Sequence, residues 1–337
     1  VTKYLSKQVL KQTTKGDVRD PKVIWHAETE KLRTTLATGQ TVTVYSSTNL
    51  IDWQCESEFV YNIGSHDGVW EWPDLFELAV DNSEEKKWVL LVSIGDNPQF
   101  DSGSRTQYFI GSFDGSTFTA DNQEIQWLDF GKDNYAGVSF SDIPTEDGRR
   151  IYLGWMSNWR YANQVPTEGW RSQMTLPRTL ALRHIGDQLL VVQDPVEELD
   201  SYFTKVVEFD DVLINSEETK TFAVDKSSVE IVLEIDNHDA KQFGVVLSHT
   251  ASQKTVLVID AEKNRVTLDR KDSGQIAFSE NFSNQQEFNL QAANKVDLRI
   301  IVDASSIEVF LNEGAYAVTS LIYPGKVGEE IILFTWG

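Results

Sequence analysis

The segment VWEWPDLFEL occupies residues 69–78 of the 337-residue chain and places one carboxylate between two tryptophans. In a β-strand, Trp70 and Trp72 lie on the face opposite to Glu71 and can shield the strand from water. The segment therefore predicts a strand with at least one buried face. Glu71 is either a solvated product of strand alternation or an acid whose pKa is raised by apolar surroundings for catalysis.

Strand-like alternation recurs along the whole chain, and helical periodicity is almost absent. The clearest segments are residues 41–45, 88–93, 106–112, 150–155, 189–193, 229–235, 255–260 and 306–311. Turn signals such as Asp114-Gly115 and Asp147-Gly148 separate them at short intervals. Many short strands with regular turns are typical of a propeller, a barrel or a sandwich, so we predict an all-β fold.

The two halves of the chain differ in composition. Residues 1–195 contain every tryptophan except Trp336, mostly near Asp-rich loops, whereas long apolar-polar alternation dominates the rest. We therefore predict a β-propeller over 1–195, a short helical linker over 196–203 and a two-sheet β-sandwich over 204–337. Because no acids cluster in the predicted sandwich, we expect no catalytic role for it and place Glu308 and Asp260 on its surface.

The composition excludes several classes of partner. A formal net charge of -22 and a pI near 4.6 argue against nucleic acid and against an anionic membrane surface. Ten Trp and ten Tyr in an acidic chain favour a neutral sugar ligand, because aromatic rings stack on sugars and carboxylates bind hydroxyls. The single Cys55 permits no intrachain disulfide, and the five histidines show no paired metal-ligand spacing. The sequence contains no run of eighteen apolar residues, which is the length that a membrane-spanning helix needs. We expect no metal and no cofactor.

Three polar stretches in the first half are candidates for chemistry. They are Arg19-Asp20-Pro21, the segment in which Glu71 and Asp74 flank Pro73, and the loop from Asp129 to Ala136 that precedes Gly154-Trp155-Met156-Ser157-Asn158-Trp159. Taken singly, each has an ordinary explanation: Arg19 and Asp20 as a surface ion pair, Glu71 as a solvated strand residue, and Trp155 as a core residue.

Taken together, these stretches resemble glycoside hydrolase family 32, the β-fructofuranosidases that include invertases, inulinases and levanases. The resemblance extends through residues 161–167, 170–178 and 306–314, so it covers nearly the whole chain. The bacterial levanase-like branch of the family is the most similar.

The resemblance implies a five-bladed β-propeller with a pocket at its axis, followed by a β-sandwich. It implies Glu71 as the general acid/base, Asp20 as the transition-state stabiliser, and Arg19, Asp129 and Trp155 as substrate-binding residues. The substrate would be a terminal β-linked fructosyl unit of sucrose or fructan, cleaved with retention of configuration and without metal or cofactor. An extracellular location is favoured over a cytoplasmic one.

Two departures from the family pattern stand out. Trp72 replaces the cysteine that follows the acid, which puts the geometry of Glu71 in question. The nucleophile of the family is an aspartate in a Trp-x-Asn-Asp-Pro-Asn-Gly segment, and residues 1–16 contain nothing like it. Asp17 lies in the loop that leads to Asp20 but matches no motif. We therefore predict that the first blade is missing from the chain, which would leave an open edge prone to homo-oligomer formation or to pairing with a complementing fragment.

Three explanations of this gap remain open: the natural protein extends upstream, a second fragment supplies the blade, or the protein is a degenerate relative that binds fructans without cleaving them. A different five-bladed glycosidase, such as an arabinan-cleaving enzyme, is a further alternative. It would not be expected to share the Gly-Trp-Met-x-Asn-Trp segment.

Overall fold

A computed structural model of the protein describes residues 10, 16–59, 63–100, 103–224, 228–282, 284–291, 293–325 and 330–337. The regular elements in these ranges are twenty-four β-strands and one 3₁₀ helix, Glu197–Tyr202, which confirms the predicted all-β fold. Each of the eight predicted strand segments overlaps an observed strand. Residues 1–9 and 11–15, where the family's nucleophile motif was sought, lie outside the described residues.

Three antiparallel sheets within residues 18–195 have the strand order of propeller blades. The first, in the order β1-β2-β3-β4, consists of β1 (Val18–His26), β2 (Lys31–Thr38), β3 (Val42–Ser47) and β4 (Gln54–Phe59). The second, in the order β5-β6-β7-β8 with β9 paired to β7, consists of β5 (Trp70–Ala79), β6 (Lys86–Ile94), β7 (Arg105–Phe113), β8 (Phe118–Ala120) and β9 (Gln126–Trp127). The third, in the order β10-β11-β13-β14 with β12 paired to β11, consists of β10 (Tyr135–Ser139), β11 (Arg150–Met156), β12 (Gln173–Met174), β13 (Arg178–Ile185) and β14 (Gln188–Pro195).

The described residues up to 195 form three such sheets.

The two remaining sheets form the predicted sandwich. The larger, in the order β15-β24-β17-β18-β19-β20, consists of β15 (Thr219–Ala223), β17 (Gln242–Thr250), β18 (Gln253–Asp260), β19 (Arg265–Asp272), β20 (Gln285–Asn289) and β24 (Glu330–Trp336). The smaller, in the order β16-β21-β22-β23, consists of β16 (Val229–Asp236), β21 (Lys295–Asp303), β22 (Ser306–Leu311) and β23 (Tyr316–Leu321). One buried apolar cluster contains residues of both sheets, including Val245, Leu257, Leu268, Leu298, Ile300 and Val309. Burial of such alternating residues from two facing sheets is what stabilises a sandwich.

The described residues divide by their contacts into two compact units. The first unit contains the described residues up to Leu128 together with Tyr135–Gly154 and Ala181–Leu190. The second contains Asp129–Asn134, Trp155–Leu180 and the described residues from Val191 onward. The 3₁₀ helix Glu197–Tyr202 lies in the segment predicted as a linker. The predicted boundaries at 195 and 204 stay a prediction, because the contacts follow a different division.

Aromatic packing holds the first unit together around Trp70. Its side chain is fully buried beside Phe59 and Phe109, and its indole N–H donates a hydrogen bond to the carbonyl oxygen of Ser65 at 2.8 Å. A tryptophan that is buried and hydrogen-bonded in this way typically costs about 3–5 kcal/mol when truncated to alanine. Trp70 therefore fixes the start of β5, the strand that carries Glu71.

Candidate active site

Two neighbouring strands of the first unit begin with the same backbone irregularity. The pairing of β1 with β2 shifts between Arg19 and Lys22, and the pairing of β5 with β6 shifts between Glu71 and Asp74. Each shift is a β-bulge that contains a proline, which has no N–H to donate to a sheet. The residue before each proline has a left-handed backbone, with φ of 56° at Asp20 and 52° at Trp72. Residues other than glycine are strained in this left-handed region of backbone conformation, and bulky residues are strained most.

Arg19 and Glu71, the last paired residues before the two bulges, form an ion pair with each other. Nη1 of Arg19 donates to Oε1 of Glu71, and Nη2 of the same guanidinium donates to Oδ1 of Asp17 at 2.9 Å. The Glu71 side chain is 15% exposed and the Arg19 side chain is 38% exposed. The pair is therefore open to solvent on one side, as a group that meets a ligand must be.

The pKa of the Glu71 carboxyl group is raised, as a proton donor near neutral pH requires. Burial raises its pKa above the usual value, the Arg19 guanidinium opposes that rise, and the negative charges of Asp20 and Asp17 add to it. The backbone around the carboxyl leaves little room, since a Cβ added at Gly95 would come within 3.2 Å of Oε2 of Glu71. Burial thus outweighs the ion pair, and Glu71 holds its proton to a higher pH than an ordinary glutamate.

Asp20 lies next to this pair across the two bulges. Its Oδ2 accepts a hydrogen bond from the backbone N–H of Trp72 at 3.1 Å, and its charge raises the pKa of Glu71. The structure thus brings together Arg19, Asp20 and Glu71, which are 52 residues apart in the sequence at their widest. Their roles as substrate contact, stabiliser and acid/base stay predictions.

Trp72 differs from its expected position. Strict alternation would place it beside Trp70 on the face opposite to Glu71, but Trp70 is fully buried and Trp72 is 40% exposed. The bulge causes this difference because an extra residue in one strand breaks the two-residue side-chain period. The expectation that both indoles shield the strand from water therefore holds for Trp70, which is buried, and is wrong for Trp72.

Asp129 lies in the second unit and is almost fully buried. Its Oδ1 accepts from the backbone N–H groups of Gly131 and Thr319, each at 2.8 Å. Its Oδ2 accepts from Asn134 at 3.1 Å and pairs with Arg178 at 3.0 Å. These contacts give Asp129 a structural role that the sequence did not predict. Its contact with a sugar stays a prediction.

Trp155 also belongs to the second unit. It lies opposite Met174 in the pairing of β11 with β12, and its ring is 4.8 Å from that of Trp159 with 45° between the planes. Trp159 and Met174 are each 51% exposed. The aromatic surface is therefore accessible in part, which is what stacking on a sugar requires, and substrate binding by Trp155 stays a prediction.

The two acids that we expected on the sandwich surface are buried. Glu308 is 3% exposed and forms an ion pair with Arg178 at 2.5 Å, and Asp260 is 9% exposed and accepts from Gln242 and Lys263. Alternation places Glu308 outward from the sandwich core, but the second face of β22 is itself covered by residues such as Leu176, whose N–H donates to Glu308. The prediction that these acids are exposed is wrong.

Lys22 and Asp74, which follow the bulges, were assigned no role from the sequence, although both lie in the candidate stretches. Nζ of Lys22 is 3.6 Å from Oδ1 of Asp74, and Asp74 has no exposed surface. The signal in the sequence was the opposite charge of Arg19-Asp20-Pro21-Lys22 and Glu71-Trp72-Pro73-Asp74. These charges predict ion pairs only when the two segments are known to be neighbours. Within the described ranges, no group of three or more His, Cys, Asp or Glu side chains could hold a metal ion.

Comparison with known families gives a match over both halves of the chain. The N-terminal domain of glycosyl hydrolases family 32 matches residues 1–195, and the C-terminal domain of the same family matches residues 198–337. The chain belongs to glycosyl hydrolases family 32. The resemblance inferred from the motifs is thereby confirmed.

Named relatives in family 32 place the chain in a lineage of fructosidases. It is 40% identical over 341 residues to a levanase of Bacillus subtilis (strain 168), covering 99% of this chain and 50% of that protein. It is 36% identical to an extracellular exo-inulinase of Aspergillus niger, covering 95% of this chain and 62% of that protein. The crystal structure of an exo-inulinase from Aspergillus awamori matches with a TM-score of 0.86 at 32% identity, over 95% of this chain and 64% of that one.

These figures also describe how the chain relates in length to the family. It spans between about half and two thirds of the relatives just named. The structural match confirms the predicted order of propeller-type sheets followed by a sandwich. None of the described helices is long and apolar enough to cross a membrane.

Proposed function

We propose that the protein carrying this chain hydrolyses terminal β-D-fructosyl units of sucrose or fructans by a retaining, double-displacement mechanism. One observation carries the proposal: a partly buried Glu71 with a raised pKa faces Arg19 and Asp20 in a chain of family 32. The levanase and the exo-inulinase named above support the choice of fructans. The name of the latter supports an extracellular location.

Glu71 would act first as an acid and then as a base. In the first step the protonated carboxyl donates its proton to the glycosidic oxygen, while a second carboxylate attacks the anomeric carbon and the leaving sugar departs. In the second step the Glu71 carboxylate takes a proton from the water that cleaves the fructosyl-enzyme bond. A raised pKa favours the protonated form that the first step needs.

Asp20 and Arg19 would act on the fructosyl unit beside this acid. The Oδ2 atom of Asp20 is fixed by the Trp72 N–H, so its carboxylate is oriented before any sugar arrives. Arg19 is shared between Glu71 and Asp17 and is partly exposed, so it can turn toward a sugar hydroxyl without leaving a buried charge unpaired. Asp129 and Trp155 are proposed as further substrate contacts on the strength of the family resemblance.

The second carboxylate is the open part of the proposal. A retaining mechanism places it roughly 5–5.5 Å from the acid/base, and no Trp-x-Asn-Asp-Pro-Asn-Gly segment occurs in the 337 residues. Asp17, which binds the same guanidinium as Glu71, is the first carboxylate in the described chain to test. The partly exposed aromatic surface of Trp155 and Trp159 also fits a second candidate function, a fructan-binding relative without catalysis.

The decisive experiment compares Glu71→Gln with Glu77→Gln. Glu77 lies in the same strand β5 and pairs with Lys86 at 2.9 Å, but it plays no part in the proposed chemistry. The purified protein should release fructose from sucrose, inulin or levan. Glu71→Gln should lower turnover by about 10³-fold or more while sugar binding persists, because the amide keeps the shape and cannot donate the proton.

Turnover by Glu77→Gln should stay within about twofold of the unaltered protein, as for an exposed ion pair. Normal turnover in Glu71→Gln would show that another group is the acid. Sugar binding with no fructose release by the unaltered protein would favour the binding function instead.

A further inference from the structure

We propose that Lys22, Asp74 and Ser139 form a positioning clamp that sets the spacing of Glu71 and Asp20. The clamp is made of one residue from the first strand of each of the three blade-like sheets, β1, β5 and β10. The inference rests on the proposed role of Glu71 as the acid/base. None of the three residues is proposed to touch substrate.

The two bulged segments carry matching charges. Arg19-Asp20-Pro21-Lys22 has a cation on either side of its bulge, and Glu71-Trp72-Pro73-Asp74 has an anion on either side. Arg19 pairs with Glu71 before the bulges, and Lys22 approaches Asp74 after them. Lys22 and Asp74 are also the residues at which regular pairing with β2 and β6 resumes. The two bulges are thus bracketed by two ion pairs.

The Lys22–Asp74 pair is anchored on the third sheet, through Ser139 of β10. Oδ2 of Asp74 accepts from the backbone N–H of Ser139 at 2.6 Å and from its hydroxyl at 2.7 Å. Nζ of Lys22 donates to the carbonyl oxygen of the same serine at 2.6 Å. One residue of β10 therefore holds the ends of both bulges at once. From the other side, the Thr35 hydroxyl donates to the carbonyl oxygen of Pro73 at 3.2 Å.

The strain at the bulges explains why such a clamp is needed. Asp20 and Trp72 both have left-handed φ angles, and residues other than glycine keep such conformations only where their surroundings enforce them. The residue before each bulge, Arg19 or Glu71, takes its direction from the bulge. Without the clamp the strained segments would relax, and Glu71 would move toward solvent.

Asp74 and Ser139 are buried more deeply than the catalytic groups, whereas the Lys22 side chain is 16% exposed, close to the 15% of Glu71. Asp74 has no exposed surface and Ser139 is 1% exposed, whereas the Arg19 side chain is 38% exposed. A buried carboxylate that is already hydrogen-bonded to the chain acts on the reaction only through the groups that it positions. A misplacement of about 1 Å at a reacting group can cost about 10²-fold in rate.

The test compares Lys22→Met and Asp74→Asn with Arg33→Met. Arg33 is 3% exposed in β2, pairs with Glu56 at 3.4 Å and bonds Thr29 at 2.9 Å, so it is a buried cation of the same unit outside the clamp. All three substitutions should lower the melting temperature. Only the two clamp variants should lower kcat, by about 10- to 100-fold with KM nearly unchanged.

A second readout follows the protonation of Glu71. Loss of the clamp exposes its carboxyl, so its pKa should fall toward the ordinary value and the basic limb of the pH-rate profile should move to lower pH. The same fall should appear in an NMR titration of ¹³C-labelled glutamate, with the Glu71 signal identified by its loss in Glu71→Gln. This titration needs no turnover, so it tests the clamp even if the proposed hydrolysis fails.

Unchanged titration of Glu71 in folded Lys22→Met and Asp74→Asn would overturn the proposal, as would an equal shift in Arg33→Met. If the clamp variants do not fold, Ser139→Ala removes the hydrogen bond from its hydroxyl to Asp74 and the 3.5 Å bond that the hydroxyl accepts from Arg150, and it keeps the bond from its backbone N–H to Asp74. It should shift the Glu71 titration in the same direction by a smaller amount. No shift in this variant would contradict the clamp.

Discussion

Two arginine–glutamate pairs, one in each unit, contain the same two residue types in very different surroundings. Arg19 and Glu71 in the first unit are 38% and 15% exposed, and strained bulges flank them. The side chains of Arg178 and Glu308 in the second unit are 0% and 4% exposed. Arg178 also binds Asp129, Gln193 and Thr319, so several partners hold its guanidinium.

The difference lies in how much of the charge is compensated within the chain. Arg178 has its positive charge shared by two buried carboxylates, which leaves it no freedom to meet a ligand. Arg19 is held by two carboxylates that are themselves partly open to water. A buried pair that loses one partner strands a charge, whereas a partly exposed pair can be re-solvated. We therefore expect the first pair to govern activity and the second to govern stability.

The largest expected effect is on stability in Arg178→Met. It leaves Asp129 and Glu308 as buried carboxylates without their cation and should lower the free energy of unfolding by about 3–5 kcal/mol. The matched control is Arg265→Met in the same unit, where the partner Glu287 is 3.3 Å away and both side chains are more than 40% exposed. The control should lose less than about 1 kcal/mol in urea unfolding. Equal losses in the two variants would contradict the comparison.

A second prediction concerns how the stability of the second unit responds to acid. Burial lowers the pKa of His249 to about 4, from an ordinary value near 6.5. Between these two pH values His249 binds a proton in the unfolded chain but not in the folded chain. The free energy of unfolding therefore decreases as the pH falls from about 6.5 to about 4. The loss should be roughly 3–3.5 kcal/mol by the usual conversion of pKa shifts into free energy. His249→Asn should flatten this part of the curve of unfolding free energy against pH, and an unchanged slope would contradict the prediction.

A third prediction reverses the roles of the two pairs. Arg19→Met should lower kcat/KM by about 10- to 100-fold while unfolding free energy changes by less than about 1 kcal/mol. Because Arg19 lowers the pKa of Glu71, its loss should raise that pKa further and move the basic limb of the pH-rate profile to higher pH. This direction is opposite to the one expected for Lys22→Met. A shift in the same direction for both variants would show that the two ion pairs do not act differently on Glu71.

The fold was largely predictable from alternation, and the ion pairs were not. The strand over residues 306–311 was predicted with the bounds that the structure shows, yet Glu308 within it was expected on the surface. A two-residue period tells which side chains share a face, but not whether a second layer covers that face. Here Leu176 and Arg178 lie against it, from a segment that the sequence assigned to the other domain.

The candidate site residues could be named from the sequence because their motifs are specific, whereas the buried networks carry no such motif. Arg19, Asp20 and Glu71 were named from the sequence, and the structure brings them together. The exposure of Trp72 was missed because a bulge resets the side-chain period, and nothing in the alternation marks where a bulge will form. A proline inside a strand was the available signal, and both bulges contain one.

The smallest expected effect separates two roles for Asp17. The side chains of Arg19 and Asp17 in this ion pair are 38% and 59% exposed. Asp17→Asn should therefore change the unfolding free energy by less than about 1 kcal/mol. The negative charge of Asp17 raises the pKa of Glu71, so its removal should move the basic limb of the pH-rate profile slightly to lower pH. If Asp17 only tunes Arg19 and Glu71, turnover should fall by less than about fivefold, since each remaining group keeps its place. A nucleophile cannot be replaced by an amide, so a loss of about 10³-fold or more in this variant would instead make Asp17 the second carboxylate of the retaining mechanism.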